Sequence, residues 1–568
     1  MAAGDSLPVI KTVPVPPGRE DFEQKRAAIL DELANKVPAE YRIARHYIDN
    51  PPRDVTGMPR ECGVLDETDL DITERYDVTG LAQAIASKKY TAVQAATAFI
   101  KRSIVAHQLS CCLTQWFPDE ALKQAEELDQ HLARTGKPVG PLHGVPISIK
   151  QHFPQAGTWS DLGLLATRQY DEDDCIIVGI LRKLGAIFYC KTNQPQGLMH
   201  IESDAYLGRT LNHPHNIHLS SGGSSGGESA LIALRGSIMG LGSDIGGSIR
   251  VPCGFTGIWG LKPTANTLPC RDMLHHGLPA ELNVLCTAGP MCHSLRDVDL
   301  FMREVLATKP FLLEPQVVPI PWTGLAASAD SFGSKPLKIG IMMNDGFIQP
   351  QPPVISALQE AKKRLEASSL FEVKPFTAYK IEGTYSKLLQ IYYPDGGKKL
   401  HELLGASGEP VHKLTPPAGF IEPANDGDSI SNLRVYRDKF RSASSRHWAS
   451  QDVDLVLCPM HVGPACAHDT GRYVSYTTSW NFLDCPAIVF PSGMRAGKKG
   501  TEHYTDDGRP WNDSDAGVRA LWEENDYEGA PIALQLVARR HHDNFLMAAV
   551  GLMEKALQLK AEPSKSRI

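Results

Sequence analysis

The sequence predicts an α/β fold: a central twisted mixed β-sheet flanked by helices. Three observations carry that prediction. Short apolar runs recur along the chain, among them Val145–Ile149, Ile187–Cys190 and Ile238–Leu241. Segments with helical spacing lie between them, as in residues 175–184 and 226–236. No internal repeat interrupts the alternation. Buried strands separated by helices imply a parallel or mixed sheet covered on both faces. At 568 residues the chain exceeds the ~250–300 at which one core stops growing. Two domains, or one large elaborated α/β domain, are therefore expected.

Taken in order, residues 1–18 are Pro-rich and read as extended chain, and residues 19–36 carry apolar positions at helical spacing. Thr79 is expected to cap a short helix ending near Ser87, and Thr91 a longer one with Ala95, Phe99, Ile100, Ile104 and Val105 on one face. Residues 119–135 read as a solvated amphipathic helix. Asp171-Glu172-Asp173-Asp174 precedes an apolar run and reads as a capped helix start. Further strands are expected at Leu337–Met342, Val453–Leu457, Ala487–Phe490 and Pro531–Val537, and helices at Val354–Leu370 and Ile430–Trp448. The organisation is therefore read as a tail and helical arm (1–66), a first core part (67–310), a variable, largely helical insertion (311–450) and a second core part (451–568).

Composition excludes several classes. A net charge of -7 with pI about 6.3 favours neither nucleic acid nor an anionic membrane as partner. Asp5, Pro8, Lys11 and Pro14 break up the N-terminus, so no secretory signal is read there. No apolar run approaches the ~18 residues of a membrane span. The 12 cysteines are dispersed without a CxxC pair, so buried free thiols are expected, Cys111-Cys112 included. The cytoplasm is the default location, although Ser566-Arg567-Ile568 loosely resembles a peroxisomal address. His213, His215 and His218 crowd one loop, but their spacing matches no zinc site and they read as a surface cluster. There is no phosphate loop or dinucleotide fingerprint, and neither metal nor cofactor is expected.

Residues 221–264 carry the chemistry. Two Gly-Ser clusters, Gly222-Gly223-Ser224-Ser225-Gly226-Gly227 and Asp244-Ile245-Gly246-Gly247-Ser248, stand on either side of a predicted helix. Glycine allows tight turns, and successive N–H groups in such a turn form a nest for an oxyanion. A serine at the end of a nest stands where a nucleophile is needed. A flexible linker is the plain alternative, but linkers do not usually lie within apolar structured sequence. Residues 222–226 also match G-x-S-x-G, the α/β-hydrolase elbow. That motif needs a preceding strand, and residues 211–220 are polar and contain Pro214. It also needs an acid and a His, for which Asp454 and His461 stand in no distinctive motif.

Segment 222–264 closely resembles the amidase signature, through DIGGSIR and GLKPT. Residues 144–150 resemble the family's lysine-bearing strand, and residues 529–536 its C-terminal core strand. Segments 138–150, 192–212 and 529–540 look most like the fungal acetamidase branch. The resemblance implies a small-molecule carboxamide substrate and a Ser-cis-Ser-Lys triad. In it Ser248 is the acyl acceptor, Ser224 the bridging serine after a cis bond, and Lys150 the base. The N–H groups of Ile245, Gly246, Gly247 and Ser248 would form the oxyanion hole, and Met199 would line the pocket. Ser225, Asp244 and Arg250 read as supports, with Asp244 and Arg250 pairing across the nest. Glu228 reads as an anion in the first turn of its helix. The assembly is left open, with a homodimer admitted.

The chemistry is consistent with elementary requirements. A serine hydroxyl needs an adjacent base. Lysine, with a reference pKa of ~10.4, serves only when neutral, and burial favours the neutral form. Lys150 ends an apolar strand, so burial is expected. A bridging hydroxyl both donates and accepts, so Ser224 can pass the proton. This chain departs from many relatives in having Gln151 rather than an acid after the lysine, Ser221 before the first glycine pair, and His200 after Met199. Two other readings stay open: the amidase-like subunit of a glutamine-dependent amidotransferase complex, and an α/β-hydrolase-type esterase. A helical cap over part of the site is expected within residues 352–450.

Overall fold

The computed structural model describes residues 7–203, 207, 211–274, 284–327, 336–424, 426–506 and 508–559. The C-terminal Ser566-Arg567-Ile568 lies outside them. The core is one 11-stranded sheet. Its order from edge to edge is Leu113–Trp116, Ile187–Thr192, Pro146–Lys150, Met239–Asp244, Thr287–Cys292, Trp259–Lys262, Ala487–Arg495, Pro531–Val537, Leu455–Pro459, Leu337–Ile341 and Phe371–Pro375. The pairings are mixed. Pro146–Lys150 runs parallel to both neighbours, whereas Thr287–Cys292 runs antiparallel to both of its own. A three-stranded sheet holds Asn212–His213, Asn216–Ser220 and Cys466–Ala467, and a hairpin pairs Thr158–Ser160 with Gln169–Asp171.

The strands beside the lysine are buried along their length, which fits the continuous apolar runs of the sequence. The long helix Ala92–Ser110 begins at a capping box: Thr91 accepts from the Gln94 N–H, and the Gln94 side chain accepts from the Thr91 N–H. Pro118–Thr135 presents only Ala121, Ala125, Leu128 and Leu132 as buried residues, an apolar stripe at helical spacing. Residues 311–450 contribute two strands at one sheet edge together with the helices Pro352–Glu366, Thr384–Tyr392, Lys398–Ser407 and Gly427–Ser450.

Two expected caps are corrected. The helix Val78–Ala86 is capped by Asp77, which accepts from the Gly80 N–H at 2.9 Å. Thr79 lies inside it and donates to Asp297. The helix Ile176–Lys183 has Cys175 at its N-cap, without a side-chain bond there. Its first N–H is taken by Asp272, while Asp174 binds Arg182 along the helix. In the first case the adjacent Asp77 takes the cap while the distant Asp297 holds Thr79; in the second a carboxylate 96 residues away takes the first N–H. All 12 cysteines are free, and no helix among the described residues is long and apolar enough to cross a membrane.

Candidate active site

Lys150 closes the strand Pro146–Lys150, opposite Thr192 of the neighbouring strand, and is fully buried. Its Nζ lies 2.6 Å from Ser224 Oγ and 3.0 Å from Ser243 Oγ. Burial pulls the ammonium down to about 7, against the opposing influence of Cys286, Asp244 and Glu228. A lysine among hydroxyls in this state can take a proton near neutral pH.

Ser224 follows a cis Gly223–Ser224 peptide bond. The loop is packed so closely that a Cβ at Gly222, where φ is +85°, would come within 2.8 Å of Pro252 Cα. Ser225 ties this loop to the second one. Its N–H donates to the Ser248 carbonyl at 3.0 Å, and its hydroxyl lies 3.4 Å from the Ser243 carbonyl.

The second loop is organised by Asp244. Its buried carboxylate pairs with the buried Arg250 at 3.0 Å and accepts from Asn481 at 2.8 Å. Burial opposes ionisation, but Arg250 outweighs it and holds the carboxyl well below the ordinary range. Asp244 also accepts from the Gly247 N–H at 2.9 Å. The expected four-donor hole is therefore corrected at one position, since Gly247 already has an acceptor. The N–H groups of Ile245, Gly246 and Ser248 take no protein acceptor among the described residues. The Ile245 carbonyl accepts from the Tyr392 hydroxyl, and the Gly246 carbonyl from Thr477 Oγ1 at 2.8 Å. Gly247 has φ +125°, and a Cβ there would lie 2.3 Å from Thr477 Oγ1. Ser248, 7% exposed, makes no side-chain hydrogen bond to another described residue. Lysine and first serine are thus in contact, and both serine loops adjoin, while the second hydroxyl is unengaged.

The family model described as Amidase matches residues 94–547. The chain belongs to the amidase family. It is a hydrolase acting on amide C–N bonds. An acetamidase of Emericella nidulans is 33% identical over 555 residues, covering 95% of this chain and 98% of that protein. Amidase FG08078 of Gibberella zeae is 34% identical, covering 94% and 98%. Among solved structures, a fatty acid amide hydrolase superposes with a TM-score of 0.88 at 29% identity, covering 96% of this chain and 97% of that one.

Around this candidate site, three further expectations are corrected. The histidine group is not a surface cluster: His213 is buried and bonds the Phe255 carbonyl, and only His218 is exposed. No set of three His, Cys, Asp or Glu that could hold a metal occurs among the described residues. Residues 216–220 do form a strand, in the small sheet, so a strand precedes Ser224 after all. Its polar composition hid it, and its partners Asn212–His213 and Cys466–Ala467 are only two residues long. Ser224 nevertheless has Lys150, not a histidine, as its hydrogen-bond partner. Glu228 stands in the first turn of its helix, but burial pushes its carboxyl up to about 8, so an anion at the dipole is the wrong description.

Met199 is half-buried and packs with Ile245 against a cluster containing Leu388, Ile391, Tyr392 and Tyr393. Helices of the 352–450 region therefore do cover the nest. His200 is buried, 3.0 Å from Thr415 Oγ1 and beside the His412 ring. Gln151 bonds Thr114, Gln115 and Asp161. Sequence reasoning missed Ser243, Tyr392, Thr477 and Asn481. Only Ser243 carried a signal, since it directly precedes the second Gly-Ser cluster.

Proposed function

We propose that this amidase hydrolyses a small or medium carboxamide to a carboxylate and ammonia or an amine through an acyl-enzyme on Ser248. Neutral Lys150 takes the proton of Ser224, Ser224 takes that of Ser248, and Ser248 Oγ attacks the carbonyl carbon. The oxyanion is received by the N–H groups of Ile245, Gly246 and Ser248. The proton then returns along the same path to the leaving nitrogen, and water releases the acid by the reverse relay. The observation that carries the reading is the 2.6 Å contact between a buried Lys150 and Ser224 Oγ. Met199 and Ile245 pack against the apolar cluster of the helical cover, which favours an uncharged acyl group. The name of the Emericella relative supports a short acyl chain.

The test combines labelling with turnover. A fluorophosphonate should add one adduct to the purified protein, mapped by peptide mass spectrometry to Ser248. Short aliphatic amides should be cleaved with release of ammonia. An adduct on Ser224 with Ser248 bare would refute the assignment. Rapid ester cleavage with every amide inert would refute the substrate class.

A further inference from the structure

Beneath Lys150 lies a buried carboxyl that the proposed relay does not use. Glu228 belongs to the helix Gly226–Ala233, and its side chain is fully enclosed. It reaches the strand that carries the lysine. Ser148 lies two residues before Lys150, on the same face of that strand, and bonds Glu228 Oε2. Thr192, the register partner of Lys150, donates to Oε1 at 2.9 Å. Glycine at position 240 makes the room: a Cβ there would lie 2.0 Å from Oε2.

A count of hydrogens bears on the charge of this group. Ser148 Oγ is 3.0 Å from Ser237 Oγ, which is 2.7 Å from the Met239 carbonyl. Glu228 to Ser148, Ser148 to Ser237 and Ser237 to Met239 are three oxygen–oxygen contacts, and each needs one hydrogen. The two hydroxyls bring two. The third is the carboxyl proton.

We propose that Glu228 is a positioning residue that works as a neutral carboxylic acid, its proton closing this chain and the chain holding the strand end that presents Lys150 uncharged. The proposal rests on the reading of Lys150 as base. A carboxylate in this place would favour the ammonium form of Lys150 and weaken the base. Burial raises the Glu228 carboxyl, against the bonds from Ser148 and Thr192 and the influence of Lys150. The other titratable groups around the pair are silent near neutrality. Burial pushes Tyr189, Cys190, Cys112 and Cys253 far up, and Cys286 up to about 11. Asp244 stays ionised through Arg250. At the far end of the helix, Arg102 bonds the Leu234 carbonyl and the neutral His293 that of Ile232. Of these groups, Lys150 and Glu228 alone change charge around neutral pH, and they titrate as a pair.

The test uses the full-length protein and two readouts. Infrared difference spectra of wild type against Glu228→Gln, at pH 7, should contain the C=O stretch of a protonated, buried carboxylic acid. Glu228→Leu, which removes the chain, should lower kcat about tenfold or more while KM stays within about twofold, the pattern of a misplaced base. Glu228→Gln, which donates to Ser148 and accepts from Thr192 as the acid does, should restore most of kcat. It should leave the ascending limb of the pH profile within about half a pH unit of wild type, since no charge is removed. A limb displaced downward by about one unit or more, the effect of deleting a nearby anion, would overturn the proposal. Absence of the carboxylic-acid band would overturn it too, as would a Glu228→Leu enzyme with unaltered kcat. If Glu228→Leu does not fold, the spectra and the Glu228→Gln limb still decide. Lys150→Met separates the two readings. Retained turnover there would sink Lys150 as base, while the infrared band would still report the Glu228 proton.

Discussion

Two lysines stand side by side on adjacent parallel strands, both fully buried, and they meet different surroundings. Lys191 pairs with Ile149, one residue before Lys150. Burial lowers both, Lys150 to about 7 and Lys191 to about 8. Lys191, however, lies 3.5 Å from the Asp171 carboxylate and bonds the Trp159 carbonyl and Ser160. Lys150 has hydroxyls as its hydrogen-bond partners, Ser224 and Ser243. Burial alone therefore does not make a base. A buried lysine with an adjacent anion is a structural cation, and the same side chain among neutral oxygens can lend and recover a proton.

The sharpest way to break this contrast is to remove the chemistry on one side. Ser248→Ala should lower kcat by roughly 10⁴-fold or more, as expected for loss of a nucleophile. Lys150→Ala and Ser224→Ala should each lower it by roughly 10²–10⁴-fold, the usual worth of positioned proton transfer. The double variant should fall little below either single one. Initial rates on a short amide decide this, and full additivity would mean that the two residues do not act as one unit.

Lys191→Met should do the opposite. It strands Asp171 in the core, so a loss of about 3–5 kcal/mol in denaturant unfolding is expected, with kcat per folded molecule retained. A folded Lys191→Met protein without turnover would erase the distinction between the two lysines.

The pH dependence sharpens it further. Lys150 titrates at about 7 in the folded chain, whereas an unfolded lysine titrates at ~10.4. Activity should rise as Lys150 loses its proton, so it is present above about 7 and lost below. Between the folded and unfolded values the unfolded chain holds a proton that the folded chain lacks. Lys150 therefore makes stability climb with pH across that window and adds no slope below it. Unfolding of Lys150→Met followed from pH 6 to 10 should climb less steeply than wild type. The smallest effect is expected from Gln151→Glu. A carboxylate there faces Asp161, now 2.8 Å from the Gln151 amide nitrogen, and should move the activity limb upward by less than about one unit.

Much of this was legible in the sequence. Strands such as Pro531–Val537 announce themselves as unbroken apolar runs, because both faces of the sheet are covered. The long helix after Thr91 carries its own start signal. The two Gly-Ser clusters were readable because tight turns restrict which residues fit, and the lysine strand through its resemblance to that of the family. What was hidden depends on distant parts of the chain. Asp297, 218 residues away, binds Thr79 and leaves the cap to Asp77, and Asp272 reaches the first N–H of a helix 96 residues away. The strand Asn216–Ser220 is polar and becomes a strand through its partners. The neutral state of Glu228 follows from hydrogen bonds that no local spacing encodes, whereas the Gly247 N–H is engaged by Asp244, only three residues away.

The two carbonyls of the nest have one more consequence. In a trans peptide unit, C=O and N–H point in opposite directions. Tyr392, by holding the Ile245 carbonyl, turns the Gly246 N–H the other way, and Thr477 does the same for the Gly247 N–H through the Gly246 carbonyl. These two anchors lie 147 and 231 residues beyond the groups they hold. Synthesis runs from the N-terminus, so a nascent chain carries its lysine and both serines long before the residues that orient the nest have left the ribosome.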